Sequence, residues 1–251
     1  MGKQEAKLSL PFMGKSDTME GFEEISTATM AIPFVRILQS LSPQLKKQKP
    51  EYIAEAEEGM FFNTVTKQLY KNSIKVIVLK FERVFIEWQP ERGGFVTYHS
   101  PENAERLAVD KTFGKWKTEG GNSLQENYAY FCLVVGKEEE GVVVLSLAST
   151  FIKIAKEWNR LMTTHIMDNG ERALPYYVVW KLKTEYTEND KGNWYTFKVL
   201  MDSYINQKQH GVIVPERKAL PSRQMDYAQI EDISARGETA GEEEGEEKLP
   251  Y

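Results

Sequence analysis

The chain has 251 residues, a formal net charge of −5 and one cysteine, Cys132, and its 41% hydrophobic content is ordinary for a globular protein. A single cysteine excludes an internal disulfide and fits a reducing compartment. No apolar run approaches the roughly 20 residues that cross a bilayer, and the first residues lack the apolar core of a signal peptide. We therefore expect a cytoplasmic protein without a membrane partner.

The negative charge is concentrated at the end of the sequence. Residues 236–251 contain six acids and two bases, a net charge of −4, which leaves −1 for the rest of the chain. Such a glycine-rich acidic segment cannot bury enough apolar surface to fold, so residues 215–251 are predicted to form a disordered acidic tail. A nearly neutral body can still carry a basic surface.

The first part of the chain predicts a flexible arm over residues 1–29, an edge strand within residues 30–41 and a short strand at residues 60–64. The longest strand signal follows at residues 73–88. Charged residues interrupt both parities near its middle, at Lys80, Glu82 and Arg83, which predicts a bend or bulge that exchanges the two faces of the strand.

The remaining pattern alternates strands with one clear helix. In chain order it predicts a turn at 89–94, a short strand at 95–98, a short helix at 101–109, a loop at 113–123, a hairpin of strands 127–135 and 142–147, a helix at 151–166 and a second hairpin of strands 174–186 and 194–205. A short apolar anchor is predicted at residues 211–214, and Pro215 is predicted to begin the tail.

This order predicts a mainly β protein. Strand, hairpin, helix and closing hairpin match a five-stranded OB-fold-like barrel, with an inserted loop and helix segment at residues 89–126 and extra N-terminal strands. The predicted OB-fold-like domain spans residues 30–214. Whether the first 70 residues complete the barrel or stand beside it stays open.

The end of the tail carries a motif. Five glutamates between residues 242 and 247 precede Leu249, Pro250 and Tyr251. A barrel body followed by an acidic tail with an apolar, proline and aromatic tip resembles the bacterial and bacteriophage single-stranded DNA-binding proteins. The sequence departs from the bacterial pattern because tyrosine stands where phenylalanine is usual and Lys248 interrupts the acidic run.

The resemblance implies a protein that coats single-stranded DNA without sequence preference during replication, recombination or repair in a bacterial host cell. It also implies that Leu249, Pro250 and Tyr251 recruit replication or recombination proteins. It requires no cofactor and no metal, and a homodimer is compatible with it.

Lysines interleaved with aromatic residues are the second indication of single-strand binding, because lysines neutralise phosphates and aromatic rings stack on bases. For each aromatic residue the alternative is packing in the core. The predicted contacts are Arg83, Trp88, Arg92, Lys111, Lys115, Trp116, Lys117, Tyr128, Tyr130, Tyr177, Lys181, Lys183, Trp194 and Lys198.

Other functions have weaker signals. The three histidines are far apart in sequence, and no zinc motif or phosphate-binding loop occurs, so an enzyme is not expected. Glu185, Glu188 and Asp190 could hold the metal of a nuclease, but a solvated turn explains them better. A strand-annealing or recombination mediator and a virion or scaffold protein remain alternatives.

Overall fold

The structure is a computed structural model that describes residues 32–90, 94–112, 115–190 and 192–220. The predicted arm at residues 1–29, Arg92, most of the predicted tail and its tip at Leu249, Pro250 and Tyr251 lie outside the described residues. No helix in the described ranges is both long and apolar enough to cross a membrane.

The described chain is mainly β, as predicted. Its strands are β1 (Val35–Ile37), β2 (Phe61–Asn63), β3 (Leu69–Tyr70), β4 (Ser73–Trp88), β5 (Phe95–His99), β6 (Ala108–Thr112), β7 (Lys115–Thr118), β8 (Ser123–Val134), β9 (Val142–Ala148), β10 (Val178–Asn189) and β11 (Gly192–Tyr204). Its α-helices are α1 (Pro101–Leu107), α2 (Ile152–Thr164) and α3 (Gln207–Ala219), and 3-10 turns occupy Pro43–Leu45, Glu138–Glu140, Ser149–Phe151 and Pro175–Tyr177.

The five long predicted strands are neighbours in one antiparallel sheet, in the order β9-β8-β4-β10-β11. Both predicted hairpins, β8–β9 and β10–β11, are present, and α2 connects them along the chain. The short strand predicted at residues 95–98 is present as β5, which pairs with the second half of β4, and the β6–β7 hairpin is attached to the start of β8.

The predicted bulge in β4 is confirmed. Its register against β8 shifts between Val78 and Lys80. Before the shift, the even-numbered Val76 packs with α2, whereas after the shift the even-numbered Ile86 packs on the opposite face of the sheet. One additional residue exchanges the faces, because side chains alternate with a period of two.

The sheet therefore buries both of its faces. The inner core lies against α2, which contributes Ala155, Trp158 and Met162. The outer core lies on the opposite face, where Phe34 and Ile213 of α3 cover apolar side chains of β4, β8, β9 and β10.

The N-terminal segment joins the two edge strands β9 and β11. The Val144 amide of β9 donates to the Pro33 carbonyl at 2.8 Å. On the other side, the Gln39 side chain donates from Nε2 to the Tyr195 carbonyl of β11 and accepts from the Tyr195 amide at Oε1, both at 2.8 Å. Residues 33–39 therefore bridge the two edge strands β9 and β11.

Two predicted boundaries are wrong. The segment predicted as a loop at residues 113–123 contributes to the β6–β7 hairpin, because Trp116 packs on Phe85 and fixes β7 against the sheet. The domain also does not end at residue 214, since α3 continues through Pro215. Proline inside a helix costs about 3 kcal/mol, and the burial of Ile213 and Leu220 offsets that cost.

Candidate nucleic-acid interface

The predicted contacts that the structure describes do not form one groove. They fall into three regions: the outward face of β4, β10 and β11, the β6–β7 hairpin with the second half of β4, and the two cores. The pairing between strands determines which of these residues lie together, and the residue pattern within a single strand does not show that pairing.

The first region is a cluster of lysines on one face of three adjacent strands. Lys75 of β4 is directly opposite Lys181 of β10, and Lys183 of β10 is directly opposite Lys198 of β11. Directly paired residues point to the same face. Trp194 lies four residues before Lys198 in unbroken register, so it shares this face. We call Lys75, Lys181, Lys183, Lys198 and Trp194 the lysine face.

The charges of the lysine face are only partly neutralised. Lys75 pairs with Asp202 and Lys198 pairs with Glu185, each at 2.8 Å. Lys181 and Lys183 have no carboxylate within 4.0 Å among the described residues. Like charges directly opposite in a sheet are destabilising. Two lysines of the lysine face are therefore uncompensated, although each lies directly opposite another lysine and the repulsion destabilises the pair.

The aromatic member of the lysine face is not buried. Trp194 is half-exposed, whereas Trp158 and Trp180 lie fully inside the inner core. The indole is thus available to a ligand that runs along the hairpin, in line with Lys198 and Lys183.

The second region is largely satisfied by its own contacts. Arg83 Nε donates to Glu126 Oε1 at 2.5 Å, and the Arg83 guanidinium lies 5.3 Å from the ring centre of Phe85. The Trp116 ring stacks on Phe85 with centres 4.7 Å apart. Packing thus accounts for Trp116, in agreement with the alternative that the sequence left open.

The lysines of the β6–β7 hairpin are exposed but face acidic neighbours. Lys111 pairs with Glu105, and Lys117 is the direct strand partner of Asp110. Lys115 lies at the start of β7, and its side chain is outside the described residues. This region therefore offers less uncompensated charge than the lysine face.

The prediction that Tyr128 and Tyr130 face a groove is wrong. Both belong to the inner core, with 6% and 0% of their surfaces exposed. Tyr130 stacks on Trp158 at 4.4 Å, and its hydroxyl lies 2.9 Å from the Ala155 carbonyl. Burial raises the pKa of Tyr130. Neither ring can stack on a base, because other side chains already cover it.

Trp88 borders the outer core, and Tyr177 lies beside α3. The Trp88 indole donates to Gln125 Oε1 at 3.1 Å and packs on Phe95. Tyr177 ends a 3-10 turn before β10 and is half-buried beside His210 of α3, with ring centres 6.0 Å apart. Trp88 therefore has a structural role, whereas Tyr177 lies near the end of the lysine face.

Lys75 belongs to the lysine face but is not among the contacts predicted from the sequence. It lies on the same strand face as the apolar Ile77, and only the pairing of β4 with β10 places it opposite Lys181. The hydrophobic pattern of β4 shows that the Lys75 side chain points away from the inner core. That pattern does not show which strand lies beside β4 at this position.

The acids at the β10–β11 turn make ordinary contacts. Glu185 pairs with Lys198, and Glu188 accepts a hydrogen bond from the Tyr186 hydroxyl at 3.1 Å. Across the described ranges, no three histidine, cysteine, aspartate or glutamate side chains are grouped so that they could hold a metal ion.

Comparison with known proteins identifies a family. No curated protein and no solved structure matches the chain. The family model described as Pam3 phage gp34-like protein matches residues 3–212, which is most of the sequence. The chain therefore belongs to the Pam3 phage gp34-like protein family.

Proposed function

We propose that this protein binds single-stranded DNA without sequence preference and that the lysine face is its principal binding surface. The observation that carries the proposal is the pairing of Lys75 with Lys181 and of Lys183 with Lys198 on one face, in line with Trp194. Phosphates would neutralise the lysines, and the half-exposed indole would stack on a base.

The strand arrangement supports the same proposal. Strands β4, β8, β9, β10 and β11, with α2 between β9 and β10, follow the chain order of the five-stranded OB-fold. OB-folds bind oligonucleotides through strand faces and the loops between strands, including the loop that joins the last two. The β10–β11 hairpin occupies that position here.

Membership of a phage protein family suggests the biological setting. We infer that the protein coats single-stranded DNA during phage replication or recombination in the cytoplasm of a bacterial host. The acidic segment at residues 236–251 would compete with DNA for the lysine face, and Leu249, Pro250 and Tyr251 would recruit replication or recombination proteins. Deletion of residues 236–251 is then expected to tighten DNA binding, whereas deletion of residues 249–251 alone leaves DNA affinity nearly unchanged.

The direct test is titration of the full chain with fluorescently labelled oligo-dT at several salt concentrations. Four lysine–phosphate contacts predict a slope of about −2.8 for log K against log salt, or roughly a 50-fold loss of affinity between 50 and 200 mM salt. Absence of binding at 20 mM salt would refute the proposal. Cleavage with added Mg²⁺ or Mn²⁺ would favour a nuclease instead, and accelerated pairing of complementary strands would favour an annealing protein.

Trp194 gives a second, independent readout. Replacement of Trp194 by alanine is expected to remove most of the DNA-induced quenching of tryptophan fluorescence, because Trp158 and Trp180 are buried and Trp88 and Trp116 pack on Phe95 and Phe85 outside the lysine face. It should weaken binding by about 1–3 kcal/mol, the contribution of one stacked base. Trp194→Phe retains a ring and should recover part of the affinity, whereas quenching that persists in both variants would place the bound DNA elsewhere.

A further inference from the structure

Helix α3 lies on the same outward face as the lysine face and directly beside it. Two residues along β4 and β10 from Lys75 and Lys181, on the same side of the sheet, are Ile77 and Val179. Both belong to the outer core that contains Ile213 of α3. A strand of DNA that follows β10 beyond Lys181 would therefore meet α3 and the turn at Pro175–Tyr177.

At that point a guanidinium lies flat against an aromatic ring. The guanidinium carbon of Arg217 is 3.6 Å from the ring centre of Tyr176. At this distance the guanidinium packs directly against the face of the Tyr176 ring. Tyr176 is itself held by the outer core and by an edge contact with Tyr177, with ring centres 4.7 Å apart.

No described residue other than Tyr176 is recorded against the Arg217 guanidinium. Arg217 is exposed, and no described carboxylate lies within 4.0 Å of it. Arg217 also falls one helical turn after Ile213, on the helix face that is directed at the sheet. Packing of α3 therefore fixes a planar cation with one covered and one exposed side.

We propose that Arg217 stacked on Tyr176 is a base-stacking platform that ends the path of single-stranded DNA begun at Trp194. This inference rests on the proposed function and assigns two residues to it that nothing else identifies. Guanidinium planes stack on bases as aromatic rings do, and the charge adds attraction for the neighbouring phosphate. A lysine could supply the charge but not the plane.

The length of the path is compatible with one bound oligonucleotide. Thr187, which is opposite Trp194, and Tyr177 are ten residues apart along the direction of β10, or about 33 Å at 3.3 Å per residue. A stacked strand rises about 3.4 Å per nucleotide, so roughly ten nucleotides span this distance. That number lies within the roughly 4–16 nucleotides bound per OB-fold.

Oligonucleotide length tests the proposal, because a short oligonucleotide can occupy the lysine face without reaching Arg217. Arg217→Ala and Tyr176→Ala are each expected to weaken binding of dT16 at least about fivefold, the lower limit for one lost stacked base. Binding of dT6 should change less than about twofold. Arg217→Lys should lose the affinity of one stacked base for dT16 but retain the salt dependence of the unaltered protein, whereas Arg217→Ala should also lower the salt slope by about 0.7 and so bind roughly a further fivefold more weakly at 0.1 M salt.

The matched control is Lys218→Ala, which removes an exposed charge from the next position of α3 and should leave the preference for dT16 over dT6 unchanged. Thermal unfolding of every variant reports whether α3 still packs. Three results would each overturn the platform while leaving the proposed function intact. They are an unchanged dT16 affinity in Arg217→Ala, an unchanged dT16 affinity in Arg217→Lys, and equal losses of affinity for dT6 and dT16. Failure of the unaltered chain to bind either oligonucleotide would refute the proposed function itself.

Discussion

Replacement of Lys181 and Lys183 by glutamine should weaken DNA binding while preserving or raising the stability of the fold. Both lysines are directly opposite another lysine and lack a described carboxylate partner. Glutamine keeps much of the aliphatic stem and removes the charge, so the double variant changes the electrostatics of the lysine face with little change in packing.

The expected changes in DNA affinity and in stability follow from the two lysine pairs, Lys75 with Lys181 and Lys183 with Lys198. Loss of two phosphate contacts lowers the salt slope by about 1.4, which corresponds to roughly a 25-fold loss of affinity at 0.1 M salt and almost none near 1 M. Relief of two like-charge strand pairs contributes about 0.2–1 kcal/mol each to the free energy of unfolding. The lower part of that range applies, because Asp202 and Glu185 already neutralise the opposite lysines.

Two measurements separate these effects: oligo-dT binding as a function of salt, and unfolding by urea. The matched control is Lys153→Gln with Lys156→Gln, which removes the same charge from the exposed side of α2. If both double variants lose affinity equally, binding responds to net charge alone and the lysine face has no special role. An unchanged salt slope in a folded Lys181→Gln, Lys183→Gln protein would refute the reasoning directly.

Two further predictions concern the buried groups. Tyr130→Phe should lower the free energy of unfolding by about 1 kcal/mol, because the hydroxyl contact with Ala155 is lost, and should leave oligo-dT affinity unchanged; a loss of affinity in the folded variant would contradict the assignment of Tyr130 to the inner core. Burial raises the pKa of Glu87, but hydrogen bonds from Asn122 and His99 outweigh it and hold the pKa below 4.5. Because the folded-state pKa is the lower one, the stabilisation by Glu87 is present above about pH 4.5 and is lost as the pH falls through the folded pKa. The free energies of unfolding of the unaltered chain and of Glu87→Gln should therefore differ at pH 7 and differ less as the pH falls below 4.5, and a constant difference would show that ionisation of Glu87 is irrelevant.

The sequence predicts those features that lie within one strand. Charges interrupt both parities of β4 at Lys80, Glu82 and Arg83, and the structure has a bulge at that point. The rows Lys181 with Lys183 and Trp194 with Lys198 likewise follow from alternation within β10 and β11, and the structure keeps each row on one face. Local pattern suffices here because side-chain direction alternates regularly along a strand.

The misplaced residues depend on what covers the sheet. Tyr128 and Tyr130 alternate with Ala129 and Phe131. Because both faces of this strand carry apolar or aromatic side chains, either face could pack in a core. Both faces are in fact buried, one under α2 and the other under Phe34 and α3. Alternation of polar and apolar side chains cannot identify a groove in such a strand, because neither face consists of solvent-exposed side chains. Charged rows are more informative, because lysine is almost never fully buried.

Gln39 is the residue whose role was least accessible from the sequence, and it offers the sharpest test of how the sheet is closed. Its side chain makes both hydrogen bonds that a neighbouring strand would make to Tyr195. At about 0.5–1.5 kcal/mol for each bond, Gln39→Ala should lower the free energy of unfolding by about 1–3 kcal/mol. Gln89→Ala is the control, because Gln89 is an exposed glutamine near the end of β4.

Hydrogen exchange distinguishes loss of closure from general destabilisation. In Gln39→Ala, the Tyr195 amide should exchange faster by a larger factor than amides in the centre of β8, because only the former loses its acceptor. Gln39→Glu should be at least as destabilising, since a carboxylate can accept from the Tyr195 amide but repels its carbonyl oxygen. Uniform acceleration across β8 and β11 would mean that residues 33–39 support the whole fold rather than the junction at β11. Because Tyr195 is adjacent to Trp194, selective loosening there should also weaken oligo-dT binding, which would connect closure of the sheet to the order of the lysine face.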